Sequence, residues 1–259
     1  MNKKYFYVSS LPRSGQTLLA SLLHQNKEIC FGPQSIAFQM IYELAQLKTY
    51  SSIYNNFPAA EAYDYAVFNV FNNFYEKFTD AKYVLDRAPW GTEYNRNLLS
   101  FFEDKPKFII MYRPALECLA SLIKVEKPNL DIPVYKRCKH LLNPGGSIYQ
   151  GLLSIETIIK NKEDHIIIHY KDLIKDPTAV VKKVYDYIGI PFKGVRLTNL
   201  DQYEVKGVKY FDHKLDGIPH QGLHTIRTDK IEQIKYNIEE YIPKEIIDRY
   251  KNIDVLWTY

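Results

Sequence analysis

The stretch YFYVSSLPRSGQTLLASLLHQ, residues 5–25, decides the fold. Tyr5 to Val8 form an apolar run, closed by Ser9 and Ser10, of the length expected for a buried strand. Leu11 to Gly15 supply turn chemistry through Pro12, Ser14 and Gly15. From Thr17 to Gln25, Leu18, Leu19, Leu22 and Leu23 recur at helical spacing and predict a helix with one apolar face. A buried strand passing through a glycine turn into a helix is the opening unit of a parallel α/β sheet.

The rest of the chain repeats that alternation. Strands are predicted over Lys82–Leu85, Lys107–Tyr112 and His165–His169, each a short apolar run. Helices are predicted over Ser35–Lys48, Ala59–Phe78, Thr92–Glu103, Pro114–Lys124 and Ile148–Lys160. Asp172–Ile188 reads as helix interrupted near Asp176-Pro177, and Thr228–Tyr250 as mostly helix with a break at Pro243. Helical crossovers between short apolar strands imply right-handed connections. The expected fold class is α/β: a single domain over residues 1–259, its central parallel sheet flanked by helices.

Composition narrows the function classes. Hydrophobic residues at 46% and charged residues at 25% are ordinary for a packed domain, which argues against long disorder. A net charge of +4 is too mild to suggest nucleic acid, so none is expected as partner, although it suits a local basic pocket for a small anion. Cys30, Cys118 and Cys138 are odd in number, far apart and without a C-x-x-C pair, so no disulfide framework or metal site is expected. No apolar run approaches a membrane span or a signal-peptide core, and the expected compartment is the cytoplasm. Nothing in the sequence fixes an oligomeric state.

Two clusters carry chemistry. In Pro12-Arg13-Ser14-Gly15-Gln16-Thr17-Leu18, Gly15 admits a ligand close to the backbone, and the N–H groups that follow open a helix. Such an N-terminus favours an anion. Ser14, Gln16 and Thr17 add donors, and Arg13 adds a fixed charge. The loop departs from G-x-x-x-x-G-K-[ST], since Gln16 stands where Lys is required. The second cluster is Arg113, at the end of the Lys107–Tyr112 strand, with Ser121 two turns into the next helix. Together they suit a second phosphate.

These stretches resemble the sulfotransferase superfamily that uses 3′-phosphoadenosine 5′-phosphosulfate (PAPS), in particular its bacterial, viral and tyrosylprotein branch. FYVSSLPRSGQTLLASLLHQNKEICFGPQ, residues 6–34, follows the family's strand–loop–helix pattern. The resemblance implies a P-loop-like fold and sulfuryl transfer from PAPS to an acceptor hydroxyl or amine, with the bisphosphate nucleotide PAP as product and no metal. By the same resemblance Arg13 to Leu18 bind the 5′-phosphosulfate, and Arg113 and Ser121 bind the 3′-phosphate. Tyr170, in His169-Tyr170-Lys171-Asp172-Leu173, frames the nucleotide, and Arg227, in Gly222-Leu223-His224-Thr225-Ile226-Arg227, is a further contact.

Arg13 is the expected cation beside the sulfate. Arg87, in Asp86-Arg87-Ala88-Pro89, aligns with a catalytic Lys of the family and keeps its charge; its plain structural alternative is a partner for Asp86. The family's base positions fall on Gln34 and Pro89, neither of which takes a proton. Asp86 is therefore a candidate base, with Glu43, Glu93, His24 and His140 behind it. The acceptor is a small molecule, carbohydrate or peptide. The aromatics from Tyr54 to Tyr75 read as core with some in an acceptor pocket, and the basic stretch Lys124 to His140 reads as a solvated face. A P-loop-like nucleotide kinase and a nucleotide-binding module without catalysis are the alternatives.

Overall fold

The computed structural model describes residues 3–32, 34–209, 214–215, 218–219, 224–226, 231–232 and 237–254. Five strands form the central sheet: β1 (Lys4–Ser10), β2 (Ile29–Phe31), β3 (Tyr83–Arg87), β4 (Phe108–Tyr112) and β5 (His165–His169). They lie in the order β2-β3-β1-β4-β5, all parallel. β1 is thus central, with Val8 opposite both Arg87 and Ile109. The predicted strands are all present. β3 runs two residues further than expected, through Asp86 and Arg87. β2 was not anticipated: three residues between polar neighbours carry too short a pattern to read.

Both faces of the sheet are covered, as parallel sheets require. On one face Phe6, Val8, Leu85, Ile109, Met111 and Ile168 pack against α1 (Gln16–Leu23), α9 (Tyr170–Lys175) and α10 (Pro177–Ile188). On the other, Tyr7, Val84, Phe108 and Ile110 meet a larger helical layer. That layer comprises α2 (Ile36–Tyr50), α4 (Ala60–Phe78), α5 (Glu93–Leu99), α6 (Ala115–Glu126), α7 (Val134–Leu142) and α8 (Ser147–Lys160). A short α3 (Ser52–Asn56) links α2 to α4. The Asp172–Ile188 helix does break at Pro177, where Asp176 caps α10 by accepting from the Ala179 N–H at 2.9 Å. Within the predicted C-terminal helix, the described residues form α11 (Ile238–Tyr241) and α12 (Lys244–Tyr250), divided near Pro243.

The basic stretch is not wholly a solvated face. Arg137, 4% exposed, forms a two-pronged pair with Glu126, both contacts at 2.8 Å, and so joins α7 to α6. Lys124 reaches over the ring of Tyr241. Further along, β6 (Glu204–Val205) and β7 (Val208–Lys209) pair antiparallel around Lys206 and Gly207, both at positive φ, as a two-residue hairpin of this hand demands. A last two-residue pair, β8 (Lys214–Leu215) and β9 (Ile218–Pro219), is also antiparallel.

The end of β3 is anchored from below. Asp86 is 1% exposed and accepts from Trp90 Nε1 at 2.8 Å, from the Ser35 hydroxyl and from the Tyr75 hydroxyl. One carboxylate therefore ties β3 to α4 and to the start of α2. Burial pushes the Asp86 carboxyl above its ordinary range, although these donors and Arg87 pull it down. Asp86→Ala leaves the Tyr75 and Trp90 donors buried without an acceptor and should cost about 3 kcal/mol, read as a lower melting temperature. An unchanged melting temperature would remove the carboxylate from this role. The sign with pH follows from the raised pKa: the folded state holds the Asp86 proton where the unfolded state has lost it. Stability contributed by this group is therefore full below the ordinary Asp range and declines as pH rises through the folded value. The stability difference between wild type and Asp86→Asn should show that decline, and a pH-independent difference would contradict it.

Candidate functional site

Four strand ends meet along the carboxyl edge of the sheet, where open parallel sheets bind ligands. β1 delivers Ser10 and the turn to α1, β3 delivers Arg87, β4 delivers Arg113, and β5 delivers Tyr170.

The first turn is built for close approach. Gly15 has φ +95°, and a β-carbon there would lie 2.9 Å from Tyr170 Cδ2 and 3.2 Å from Leu173 Cδ2. Arg13 also takes a positive φ, 65°, a costly conformation for a side chain of this kind. Ser14 is buried, its Oγ 2.8 Å from the Leu11 carbonyl and 3.3 Å from that of Met111 on β4. The amide of Gln16 donates to Ser10 Oγ at 2.8 Å and to the Leu11 carbonyl. Thus two side chains expected as ligand donors are turned inward to shape the loop. The N-cap Gly15 offers α1 no side-chain acceptor, and the first N–H groups of a helix have no partner within it. Thr17 and Leu18 sit half-buried on that first turn, Leu18 against the core beneath it.

Arg113 and Ser121 join this turn directly. Arg113 is only 4% exposed. Its Nη1 donates to the Arg13 carbonyl at 3.3 Å, its Nε to Glu117 Oε2 at 3.0 Å, and its guanidinium lies 4.3 Å from the centre of the Tyr170 ring. Arg13 Nε in turn donates to Ser121 Oγ at 3.2 Å. The two clusters separated by a hundred residues in sequence are one constellation. Tyr170 stands behind both, touching the Gly15 cradle and stacking on Arg113. Arg227 lies outside the described residues; the adjoining Ile226 is tied to Gln202 through its N–H and carbonyl, at 2.9 and 2.8 Å.

Arg87 faces a separate cleft of about 580 Å³. Its Nε donates to Ser10 Oγ at 3.3 Å, so Ser10 receives both Arg87 and Gln16. Ser10 and Arg87 line the cleft, joining it to the first turn. Its walls are largely apolar and aromatic, with Phe38, Phe74, Phe78 and Tyr203, and Lys209 also lines it. Phe74 and Tyr75 come from the aromatic stripe of α4, which thus serves core and cleft together; Phe71, one turn away, is fully buried. Tyr203 gave no signal in sequence. It arrives from the loop before β6, places its hydroxyl 3.9 Å from Cys30 Sγ, and burial drives both groups' pKa upward.

Gln34 and Pro89 both line this cleft. Among the described residues, no Asp, Glu or His does. Asp86 lies beneath it, both oxygens engaged. Glu43 is exposed and accepts from Gln39, which lines the cleft; Glu93 is exposed at the start of α5, and His140 is exposed near the end of α7. His24 lines a different hollow, near Tyr203 and Asp201, where burial lowers its pKa. Among the described residues no helix is long and apolar enough to cross a membrane.

The sequence pattern of the sulfotransferase family matches residues 6–194. No curated protein matches the chain. Among solved structures, a sulfotransferase from Alicyclobacillus acidocaldarius is 11% identical, covering 99% of this chain and 96% of its own, with a TM-score of 0.51. One from Mycobacterium avium is 12% identical, covering 100% of this chain and 78% of its own, with a TM-score of 0.50. At such identities the likeness concerns the fold, a central parallel sheet between helices. The family pattern spans the first turn, Arg87, the Arg113–Ser121 pair and Tyr170, and on that match the chain belongs to the sulfotransferase family.

Proposed function

We propose that this sulfotransferase draws its sulfuryl group from PAPS and passes it in line, without a metal, to a hydroxyl or amine seated in the Arg87 cleft. The observation that carries this reading is the direct joining of two cationic clusters: Arg113 reaches the carbonyl of Arg13 while Arg13 reaches Ser121. One ligand bearing anions at two ends suits that arrangement, and the Gly15 cradle leaves no room for a β-carbon between loop and Tyr170. The donor set fits a nucleotide with 5′- and 3′-anions.

When bound, the nucleotide supplies a sulfuryl group on a phosphate leaving group. The first N–H groups of α1 and the Arg13 side chain hold the 5′ end, with Thr17 and Leu18 on the same turn. Arg113 and Ser121 hold the 3′-phosphate, and Tyr170 keeps the Arg113 plane in place. The resemblance adds Arg227 as a further nucleotide contact; it lies outside the described residues. Arg87 retains its charge at any working pH and, beside Ser10, stabilises negative charge developing on the bridging oxygen. Asp86 positions the end of β3 and does not serve the acceptor as a base, since it lies beneath the cleft with three donors on its carboxylate. Ser14 and Gln16 act on the loop's shape. The aromatic walls of the cleft favour an acceptor with an apolar body and the dimensions of a small molecule. Three buried thiols suit work in a reducing cytoplasm.

Three measurements test this. In a thermal-shift titration, adenosine 3′,5′-bisphosphate should stabilise the protein, and ATP with Mg²⁺ should do so far less; preference for ATP sinks the reading. Arg113→Ala should weaken bisphosphate binding roughly tenfold to a hundredfold while sparing 5′-AMP, because one charge-assisted contact to the 3′ end is lost. Equal losses for both nucleotides would take Arg113 away from the 3′-phosphate. With radiolabelled donor and a panel of phenol, sugar and peptide acceptors, Arg87→Ala should slow turnover on the order of a hundredfold with bisphosphate affinity nearly unchanged. Normal turnover would exclude Arg87 from the transfer.

A further inference from the structure

We propose that Asp254, beyond α12, is a positioning residue for the Arg113–Ser121 end of the nucleotide site. This rests on the nucleotide reading above. α6 begins after Pro114, which has no side chain able to cap it, and no side chain from the first turn does so. Its leading N–H groups therefore need an acceptor from elsewhere. Asp254 provides one from 139 residues away, with both carboxylate oxygens 3.1 Å from the Ala115 N–H. Asp254 also lies beside Tyr112, the last residue of β4, where its charge adds to burial in raising the pKa of the phenol.

The two contacts flank Arg113, one before it and one after it. Asp254 thus fixes the short span of backbone from which the Arg113 guanidinium departs, and it sets the start of the helix that carries Glu117 and Ser121. A negative charge at this end of α6 also meets the positive end of the helix dipole. The segment bearing Asp254 is itself anchored. Ile246 is fully buried in the larger core, Ile253 packs against that core, and the Tyr250 hydroxyl lies 3.3 Å from Asn143 Oδ1. Asp254 stands past residue 194, where the match to the family pattern ends.

The experiment compares affinity for adenosine 3′,5′-bisphosphate with affinity for 5′-AMP by calorimetry, in wild type, Asp254→Ala, Asp254→Asn and Ile246→Ala, with the melting temperature of each. Asp254→Ala should lose on the order of tenfold in bisphosphate affinity and less than about twofold for 5′-AMP, since capping contributes locally. Asp254→Asn, which keeps an oxygen for the Ala115 N–H, should fall between, and carries the comparison if the Ala variant does not fold. Ile246→Ala should lower the melting temperature and leave the ratio of the two affinities intact, which separates general loosening from positioning. An Asp254 variant with the wild-type ratio overturns the proposal while the nucleotide reading stands. A wild-type protein that binds the two nucleotides equally overturns the nucleotide reading, and the positioning role with it.

Discussion

Removing a guanidinium from water is expensive unless its donors are met, and Arg113 meets that condition in a way that organises the molecule around it. One donor goes to Glu117 on the helix that follows it, one to the backbone of the first turn, and its flat face rests on Tyr170. Three strand ends are bound to each other through this single side chain. The positive φ of Arg13 fits the same picture, since that residue meets Arg113 through its carbonyl while its side chain meets Ser121. Local strain at one residue is held by contacts from two others, as is common where backbone serves binding.

The sheet assigns neighbouring residues of β3 to opposite tasks. Asp86 and Val84 face the larger helical layer, while Leu85 faces the smaller one and Arg87 reaches across to Ser10. With a side-chain period of two, a slip of one residue would turn the carboxylate toward the smaller helical layer, away from its three donors. The pairing of Val8 with Arg87 and of Tyr7 with Asp86 fixes that choice, and the three donors around Asp86 secure it. The placement of charge next to the cleft is therefore a property of strand register before it is a property of any one contact.

The sheet and the anion turn were legible in sequence because each rests on local pattern. Residues 5–8, 108–112 and 166–168 are continuous apolar runs between polar breaks, and Gly15 marks its turn without help from distant residues. The inward turning of Ser14 and Gln16 was not legible, since both residue types donate equally well to a ligand or to a carbonyl, and only the approach of Met111 and Ser10 decides. Arg137 misled for a related reason: in a run with Lys124, Lys136 and Lys139 it reads as solvated, yet the buried Glu126 captures it. Tyr203 and the capping carboxylate of Asp254 come from segments whose own sequence is unremarkable. Their meaning lies in partners far along the chain, Cys30 for one and Ala115 for the other.

The central position of β1 bears on how the chain is assembled. Lys4 must find Tyr83 on one side and Tyr7 must find Phe108 on the other, so the first strand has no sheet partner until a long stretch of chain has been made. Its alternating faces, both apolar, stay exposed through that interval. Pairings of such wide separation slow folding and leave sticky intermediates. During synthesis on the ribosome, protection of residues 5–8 should therefore wait until β3 and β4 have been made.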